Sequence, residues 1–329
     1  KFVEIPVKLV KTSAPESLSI PEVRNKRQLE VFLWLYRNHP LLSDEKKGWS
    51  VALLRELDRT NDSDLFRSDG KGWPLVEGKH FHQFVPNFER TTYTIDPQEG
   101  LRRTQKHKEF REKNLQIHEV VRLAFRDVAS STNVRSAIAC VTPPHTFNSN
   151  KAPLIIPDIN VYHDSRQYYR KIAYLCGIFN SFVFDFLIRQ RVSMNLNFFY
   201  VYQTPVPLET GNVSKEIAKI SARLCSFDER FREFACAVGV QFGPLDMRER
   251  IELTAKLNAL VARHYGLNRE RLEIILRSFE GFEEDKGLEK MQEVKWNDTL
   301  IRKFNGEVRK RVFSYFDQLD SRESEVKAE

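Results

Sequence analysis

Two short stretches of the chain contain residue types that are typical of metal sites. Glu77-Gly78-Lys79 fits half of a metal-dependent nuclease motif, in which carboxylates hold a divalent cation and a lysine lies near the attacking water. Upstream aspartates such as Asp58 are candidates for the first carboxylate, but a charged turn is the simpler interpretation. His80 and His82 lie on one side of a possible strand, without a third ligand at suitable spacing. We therefore assign no catalytic residue and no metal site.

The sequence also lacks the common cofactor motifs. It contains no glycine-rich dinucleotide motif, no P-loop and no H-E-x-x-H, so we predict no cofactor site in this segment. The four cysteines, at positions 140, 176, 225 and 236, form no C-x-x-C pair and lie in apolar runs. This is typical of reduced, structural cysteines and, without a secretory signal, favours a cytoplasmic protein.

Basic residues are concentrated in one segment. Residues 101–126 contain eight Lys and Arg against three Glu. Clustered cations attract phosphate, and Arg, Asn and Gln side chains read base edges, although a solvated charged face is the alternative. Four residues are candidates for phosphate contacts: Arg102, Arg103, Lys106 and Lys108. The candidates for base or groove contacts are Arg122, Arg126 and Arg135, with Lys151 in an adjacent polar loop and His82 and Gln83 as weaker ones.

Length and composition are those of a globular protein of about two domains. The 329 residues include 52 Lys+Arg and 45 Asp+Glu, a net charge of +7, and 41% hydrophobic residues. These values exclude collagen-like, disulfide-scaffold and wholly disordered chains. No apolar stretch is long enough to span a membrane. The chain starts without Met, and we expect it to be a piece of a longer protein.

Alternating and continuous apolar runs predict the strands of a sheet. In residues 121–126 apolar and basic side chains alternate, so Arg122 and Arg126 are expected on a face that is open to solvent or ligand. The apolar runs 137–141 and 154–156 predict central strands.

Helical patterns follow in the second half of the chain. A buried helix of about 20 residues is predicted around Ile172 to Phe186, and then a strand over 195–202. From Ile217 to Phe234, apolar residues spaced three and four apart form a helical seam that needs a partner helix.

Two more helices are predicted after this seam. One covers about 246–265 and ends at Gly266, and the next begins at the N-cap Asn268. We therefore predict an α/β (α+β) recognition domain with a mixed sheet, followed by a helical domain. The expected divisions are a lead-in with a short helix over 1–46, the recognition domain over 47–209, the helical domain over 210–280, and a charged tail over 281–329 that is a loosely attached helix or partly disordered.

A series of phrases gives the sequence a family resemblance. In chain order they are ELDRTNDS (56–63), PLVEGKHFHQF (74–84), RLAFRDVA (122–129), TNVRSAIA (132–139), FNSFVFD (179–185), LNFF (196–199), PVP (205–207), LNALVARHYGL (257–267) and ILRSF (275–279). Their order resembles the C-terminal part of large bacterial adenine-specific DNA methylases of restriction–modification and phage-defence systems. These are type IIG-like enzymes with a TaqI-like C-terminal specificity domain.

The resemblance implies a target-recognition domain that grips double-stranded DNA and presents one adenine to a methylase domain. In that family the methylase domain, which binds S-adenosylmethionine, lies upstream in the same polypeptide. The resemblance thus implies that this segment alone does not methylate DNA, and that S-adenosylmethionine is a cofactor of the parent protein only.

Two alternative functions follow from the residues. One is a divalent-metal nuclease that uses Glu77 and Lys79. The other is a protein-interaction module, because the seam from Ile217 to Phe234 is either covered within the chain or an intermolecular surface.

Overall fold

The fold combines two β-sheets in the first half of the chain with a helical second half, which confirms the predicted fold class. The computed structural model describes residues 3–13, 20–86, 89–106, 116–157, 162, 164–279 and 297–326. The strands are β1 (Val51–Leu54), β2 (Trp73–Val76), β3 (Thr94–Ile95), β4 (Arg122–Phe125), β5 (Ala139–Thr142), β6 (Phe147–Asn148) and β7 (Leu154–Pro157). The helices are α1 (Val7–Ser13), α2 (Lys26–Asn38), α3 (Pro97–Thr104), α4 (Ser165–Phe179), α5 (Phe182–Arg189), α6 (Phe198–Tyr202), α7 (Gly211–Cys225), α8 (Arg232–Val238), α9 (Met247–His264), α10 (Arg269–Arg277) and α11 (Asp298–Val326).

The larger sheet is antiparallel, with the strand order β1-β7-β4-β5. The strands predicted at 121–126, 137–141 and 154–156 are all present, with small shifts at their ends. The strands β4 and β7 are central. The strand β5 lies at the edge, so the prediction of a central strand over 137–141 was wrong. In the smaller sheet, of order β3-β2-β6, β2 pairs antiparallel with β3 and parallel with β6, so this sheet is mixed.

Both faces of β4 are buried, so the prediction that one face is open to solvent or ligand was wrong. Ala124 packs in a second apolar cluster with Val76, Phe81 and Ile117, which come from segments that cover this face. Arg122 has no exposure. Alternation of apolar and polar residues shows that the two faces of a strand differ in polarity, but it does not show that the polar face is exposed to solvent.

The long helix predicted in the middle of the chain is two helices, α4 and α5, bent by 61° at Asn180 and Ser181. The Asn180 amide donates to the carbonyl of Ala139 and accepts from its N–H, both at 2.9 Å, so it pairs with the edge strand β5. Ser181 then caps α5 by accepting the amide N–H of Phe184 at 3.1 Å. No single described helix is long and apolar enough to cross a membrane, and this bent pair reaches that length only when taken together.

The prediction of a strand over 195–202 was also wrong, because Phe198–Tyr202 forms the helix α6. Aromatic and β-branched residues favour strands, but tertiary contacts override this preference here. The amide of Leu196 donates to the carbonyl of Asp127 at 2.6 Å, and the amide of Val206 to that of Pro40 at 2.9 Å. The segment is thus fixed at both ends.

The predicted seam is divided between two helices, because α7 ends at Cys225. Asp228 accepts the amide N–H of Arg230 at 3.0 Å and begins a short 3-10 turn that leads into α8. The seam side chains Ile217, Leu224 and Phe234 have no exposure, and α7 packs against α4 and α9. The seam is therefore covered within the chain.

The two helices predicted after the seam are confirmed. Asp246 and Glu249 form a capping box at the start of α9. After α9 the chain turns at Gly266, whose φ of +66° lies in the left-handed region that favours glycine. Asn268 accepts the amide N–H of Arg271 at 2.9 Å and begins α10.

The charged tail contains a packed helix. In α11 an apolar stripe is buried against the core, and Arg311 binds Glu252 of α9 at 3.0 Å. The members of this stripe are Leu300, Ile301, Phe304, Val308, Val312 and Phe316. Residues 281–296 and 327–329 of the predicted tail lie outside the described residues.

One hydrophobic core connects the sheet to all the longer helices. It includes Phe32 of α2, Leu123 of β4, Ile172 of α4, Leu257 of α9 and Val312 of α11. The core is thus continuous across the predicted domain boundary at 209/210.

Candidate nucleic-acid interface

Three buried carboxylates each hold two more exposed cations on one side of the molecule. The carboxylates Asp62, Glu77 and Asp127 are 2–5% exposed, whereas their cations are 31–53% exposed. We call these six cations the cationic surface: Arg55, Arg59, Lys79, Arg103, Lys106 and Lys151. The positive groups reach solvent while these three counter-charges lie beneath them.

Glu77 follows directly after β2 and begins a 3-10 turn. Its Oε1 atom is 2.9 Å from Arg59 Nη1, and its Oε2 atom is 3.6 Å from Lys79 Nζ. Gly78 is required in this turn because a Cβ atom there would lie 2.6 Å from the carbonyl oxygen of Lys151. This close approach brings Lys79 next to Lys151.

Asp127 lies just after β4 and holds the second pair of cations. Its Oδ1 atom is 3.0 Å from Arg55 Nη2, and its Oδ2 atom is 3.3 Å from Lys151 Nζ. Its amide donates to the Lys151 carbonyl, the same oxygen that Gly78 approaches. The guanidinium of Arg55 also lies 4.4 Å from the ring centroid of Phe198.

Asp62 holds the third pair. Its Oδ1 atom is 2.6 Å from Arg103 Nη1, and its Oδ2 atom is 3.3 Å from Lys106 Nζ. Burial raises the pKa of Asp62, but hydrogen bonds from the Asp58 amide, Arg103 and Lys106 outweigh it and hold that pKa below its usual value. Arg103 also binds the exposed Asp64 at 2.7 Å.

Hydrogen bonds join these three groups into one surface. The Asn150 side chain donates to Asp58 at 2.7 Å, and the Asn150 amide donates to the carbonyl of Leu57 at 2.6 Å. The segment 55–59 therefore runs beside the segment that ends in Lys151. Asp58 in turn donates its amide to Asp62 at 2.7 Å, which connects the third group.

The structure brings together three of the predicted contact residues, Arg103, Lys106 and Lys151. Arg102 is exposed on the same helix as Arg103. Lys108 lies outside the described residues. Sequence analysis did not select Arg55 and Arg59 as DNA contacts, because they are two isolated arginines in a segment with as many acids.

Arg122 is not part of this surface. Its Nη1 atom is 3.3 Å from both carboxylate oxygens of Glu56, which also binds His118, and its Nη2 atom donates to Thr146. Burial lowers the pKa of Arg122, while Glu56 counteracts this effect. A guanidinium with no exposure reaches no base edge in this structure, so it does not support the predicted groove contact.

Arg135 is likewise buried, between the sheet and the helices. It binds Asp185 at 2.6 Å, the carbonyl of Asn180 at 2.8 Å and the side chain of Asn305 at 3.1 Å. Its guanidinium also lies 4.5 Å from the ring centroid of Phe182. Its partners lie 45 to 170 positions away in the sequence, so local patterns gave no sign of them.

The side chains of the other three candidates, Arg126, Gln83 and His82, are also directed into the protein. Arg126 donates to the carbonyl of Phe81, and burial lowers its pKa to about 10. Gln83 donates to the carbonyls of Ala137 and Asn180 at 3.2 and 3.1 Å. Burial, and then Arg126 and Arg135, hold the pKa of His82 well below its usual value.

The carboxylate of the alternative nuclease site is occupied by cations in this structure. The Glu77 carboxylate is bound by Arg59 and Lys79, and His80 Nδ1 accepts the amide N–H of Glu77 at 3.0 Å. Among the residues that the structure describes, no group of three His, Cys, Asp or Glu side chains is arranged to hold a metal ion.

Two exposed apolar side chains lie beside the Asp127 group. Val128 is 57% exposed and Met194 is 73% exposed. Val128 forms a β-bridge with Asn195, and the amide of Ala129 donates to the carbonyl of Met194 at 3.1 Å. The two side chains are therefore carried by paired backbone segments next to Asp127.

Comparison with known proteins gives no assignment: no protein-family model matches the chain, and no curated protein matches its sequence.

Proposed function

We propose that this chain is a double-stranded DNA recognition region that serves an adenine-specific DNA methylase domain of the same polypeptide. The observation that carries the proposal is the cationic surface, in which half-exposed Arg and Lys side chains lie above buried carboxylates. Cations held in this way are pre-oriented, so less side-chain entropy is lost when they meet phosphates.

The resemblance described above supports the choice of partner. The three buried carboxylates Asp62, Glu77 and Asp127 lie in three of the phrases that carry it, at 56–63, 74–84 and 122–129. Three of these phrases thus supply the carboxylates of the cationic surface, together with two of its six cations, Arg59 and Lys79.

The exposed apolar pair fits the same function. Proteins that bend DNA often insert apolar side chains such as Met between base steps, with cations on either side to hold the backbone. Val128 directly follows Asp127, which binds Arg55 and Lys151, and Met194 pairs with the backbone of Ala129, so we assign Val128 and Met194 the role of such a wedge.

The methylase domain and its S-adenosylmethionine belong to the parent protein in this proposal. This region binds the DNA and selects the target sequence, and the restriction–modification or phage-defence role is that of the whole enzyme.

Fluorescence anisotropy with a labelled duplex of mixed sequence tests the proposal. If all six cations contact phosphates, the slope of log affinity against log salt is about −5, since each contact contributes about −0.9. In the Lys79→Gln/Lys151→Gln variant the slope should become shallower by about 1.8.

The matched control is Lys219→Gln in α7. Lys219 is 51% exposed and paired with Glu216; it resembles the two substituted lysines in exposure and in having a carboxylate partner, but it lies outside the cationic surface. A duplex that does not bind at about 50 mM salt, or a slope that changes equally in the control, contradicts the proposal.

A further inference from the structure

The turn of residues 58–63 lies at the cationic surface and is closed by its own hydrogen bonds. Asp58 Oδ1 accepts the amide N–H groups of Thr60 and Asn61, which form the tip of the turn, both at 2.9 Å. The Asp58 amide donates to Asp62 Oδ2 at 2.7 Å, and the Asp62 amide donates to the carbonyl of Asp58 at 2.9 Å. The backbone of the turn is therefore fixed in place.

The carboxylate that closes this turn is held in its charged form. Hydrogen bonds from the amide of Asn61, and then from that of Thr60, keep the pKa of Asp58 below its usual value. Asp58 thus remains an acceptor for both amides at neutral pH. A side chain that reads a base needs such a fixed support, because a small displacement loses the contact.

Members of the cationic surface lie on both sides of the tip. Arg59 precedes the tip and is bound to Glu77 at 2.9 Å. Asp62 follows it and binds Arg103 at 2.6 Å and Lys106 at 3.3 Å. Phosphate contacts set the position of a duplex on a protein. A duplex that is held by both sets of cations therefore passes over the tip of the turn.

Asn61 presents a neutral amide at this tip. The residue is exposed, and its side chain has no hydrogen-bond partner among the described residues, although its backbone N–H is bound to Asp58. Phosphate binding is already provided by the cations on either side, whereas an amide donates and accepts through two neighbouring atoms. Such a group pairs with an acceptor and a donor that lie side by side on a base edge.

The major groove offers this arrangement in more than one way. Adenine carries the acceptor N7 next to the donor N6, and in a G·C pair the acceptor O6 of guanine lies beside the donor N4 of cytosine. The four base pairs present these groups in a different order across the groove. An amide that a fixed turn holds at one place in the groove therefore distinguishes one base pair from the others.

We propose that Asn61 is a specificity-determining residue, whose amide reads the major-groove edge of one base pair with an acceptor beside a donor. The inference rests on the proposed binding of double-stranded DNA and adds to it a residue that selects sequence. In this arrangement Arg59, Arg103 and Lys106 hold the phosphates, and Asn61 lies between them.

Selection of bound duplexes from a random pool, followed by sequencing, tests the proposal with the wild-type chain and with Asn61→Ala. The φ of Asn61 is not positive and alanine keeps the backbone N–H that binds Asp58, so the melting temperature should not change. We expect one position of the selected motif to lose a preference of about fivefold or more, while the other positions keep theirs. The salt dependence of binding should stay the same, since no charge is removed.

The base pair preferred at the affected position identifies the edge that is read. A preference for A·T indicates the adenine edge, and a preference for G·C indicates the edge across that pair. In the first case 7-deazaadenine, which lacks the N7 acceptor, should weaken binding by the wild-type chain and not by Asn61→Ala.

The matched control is Asn212→Ala. Asn212 is also exposed, but it lies at the start of α7, outside the cationic surface, and its replacement should leave the motif unchanged. The proposal is overturned if Asn61→Ala selects the wild-type motif, if all positions weaken equally, or if the wild-type chain binds duplexes without selecting a motif. In these cases DNA binding by the cationic surface still stands, whereas a chain that binds no duplex contradicts both proposals.

Discussion

Arginine–carboxylate pairs occur in two different settings in this chain. At the cationic surface a buried carboxylate holds cations that reach solvent, as Glu77 holds Arg59 and Lys79. In the interior both partners are buried, as for Glu56 with Arg122. The carboxylates in the two settings are almost equally buried, at 3% and 0% exposure, so the exposure of the cation is the difference between them. The exposure of the cation therefore determines the role of each pair. An interior pair stabilises the packing around the sheet, and a surface pair leaves a positive charge accessible to a partner.

The largest effect is expected from Glu56→Gln. This change leaves the Arg122 guanidinium buried without a counter-charge, which costs about 3–5 kcal/mol of unfolding free energy. Urea denaturation measures it. The control is Glu99→Gln, whose partner Arg67 is 42% exposed, and its effect should be at most about 1 kcal/mol. If the Glu56→Gln protein is as stable as the control, burial of the cation does not determine the cost of losing its carboxylate.

The interior setting should also be sensitive to pH through His82. Its pKa is held well below the usual value by burial first and then by Arg126 and Arg135, so the unfolded chain takes up the proton at higher pH than the folded chain. Stability is therefore complete above the usual histidine pKa of about 6.5 and falls below it, by about 1.4 kcal/mol per pH unit for this residue. Urea midpoints at pH 7.5 and 5.5 measure the fall. His82→Gln should reduce it.

A smaller effect is expected from Glu77→Gln, which makes the same chemical change as Glu56→Gln in the other setting. Arg59 and Lys79 are 45% and 53% exposed, so both stay hydrated after their counter-charge is lost. We expect the unfolding free energy to fall by about 1 kcal/mol or less. DNA affinity at fixed salt should rise, because one negative charge under the cationic surface is removed. A loss of several kcal/mol here would show that burial of the carboxylate, and not of the cation, decides the cost.

The smallest effect on stability is expected from Met194→Ser. This side chain is 73% exposed, and such substitutions usually change stability by less than about 0.5 kcal/mol. If Met194 enters the base stack, a duplex with 2-aminopurine at the central step should brighten with the wild-type chain and stay dim with the variant. Equal fluorescence from both proteins removes the wedge from the proposed function.

Sequence patterns predicted the elements well where periodicity and caps are local. The capped helices α9 and α10 and the strands β4, β5 and β7 all occupy the expected positions. Where a distant contact decides the structure, local patterns failed: the segment 198–202 is helical although its residues favour a strand.

The candidate site was predictable only in part, for the same reason. The basic cluster led to Arg103 and Lys106, because charge density is visible in the sequence. It also led to Arg122 and Arg135, whose carboxylate partners lie 66 and 50 positions away. No local pattern separates an arginine with a buried partner from one that faces solvent.

The uninterrupted core from α2 to α11 determines where the chain can be divided without loss of the fold. Asn305 of α11 bonds directly to Arg135 beside the sheet, so a cut at 209/210 would divide one folding unit and leave two exposed interiors. If the chain recognises DNA as we propose, exchange of specificity by recombination should either transfer the whole segment or replace only the loops that carry the cationic surface. Chimeras joined inside the core should be insoluble, whereas loop grafts should fold.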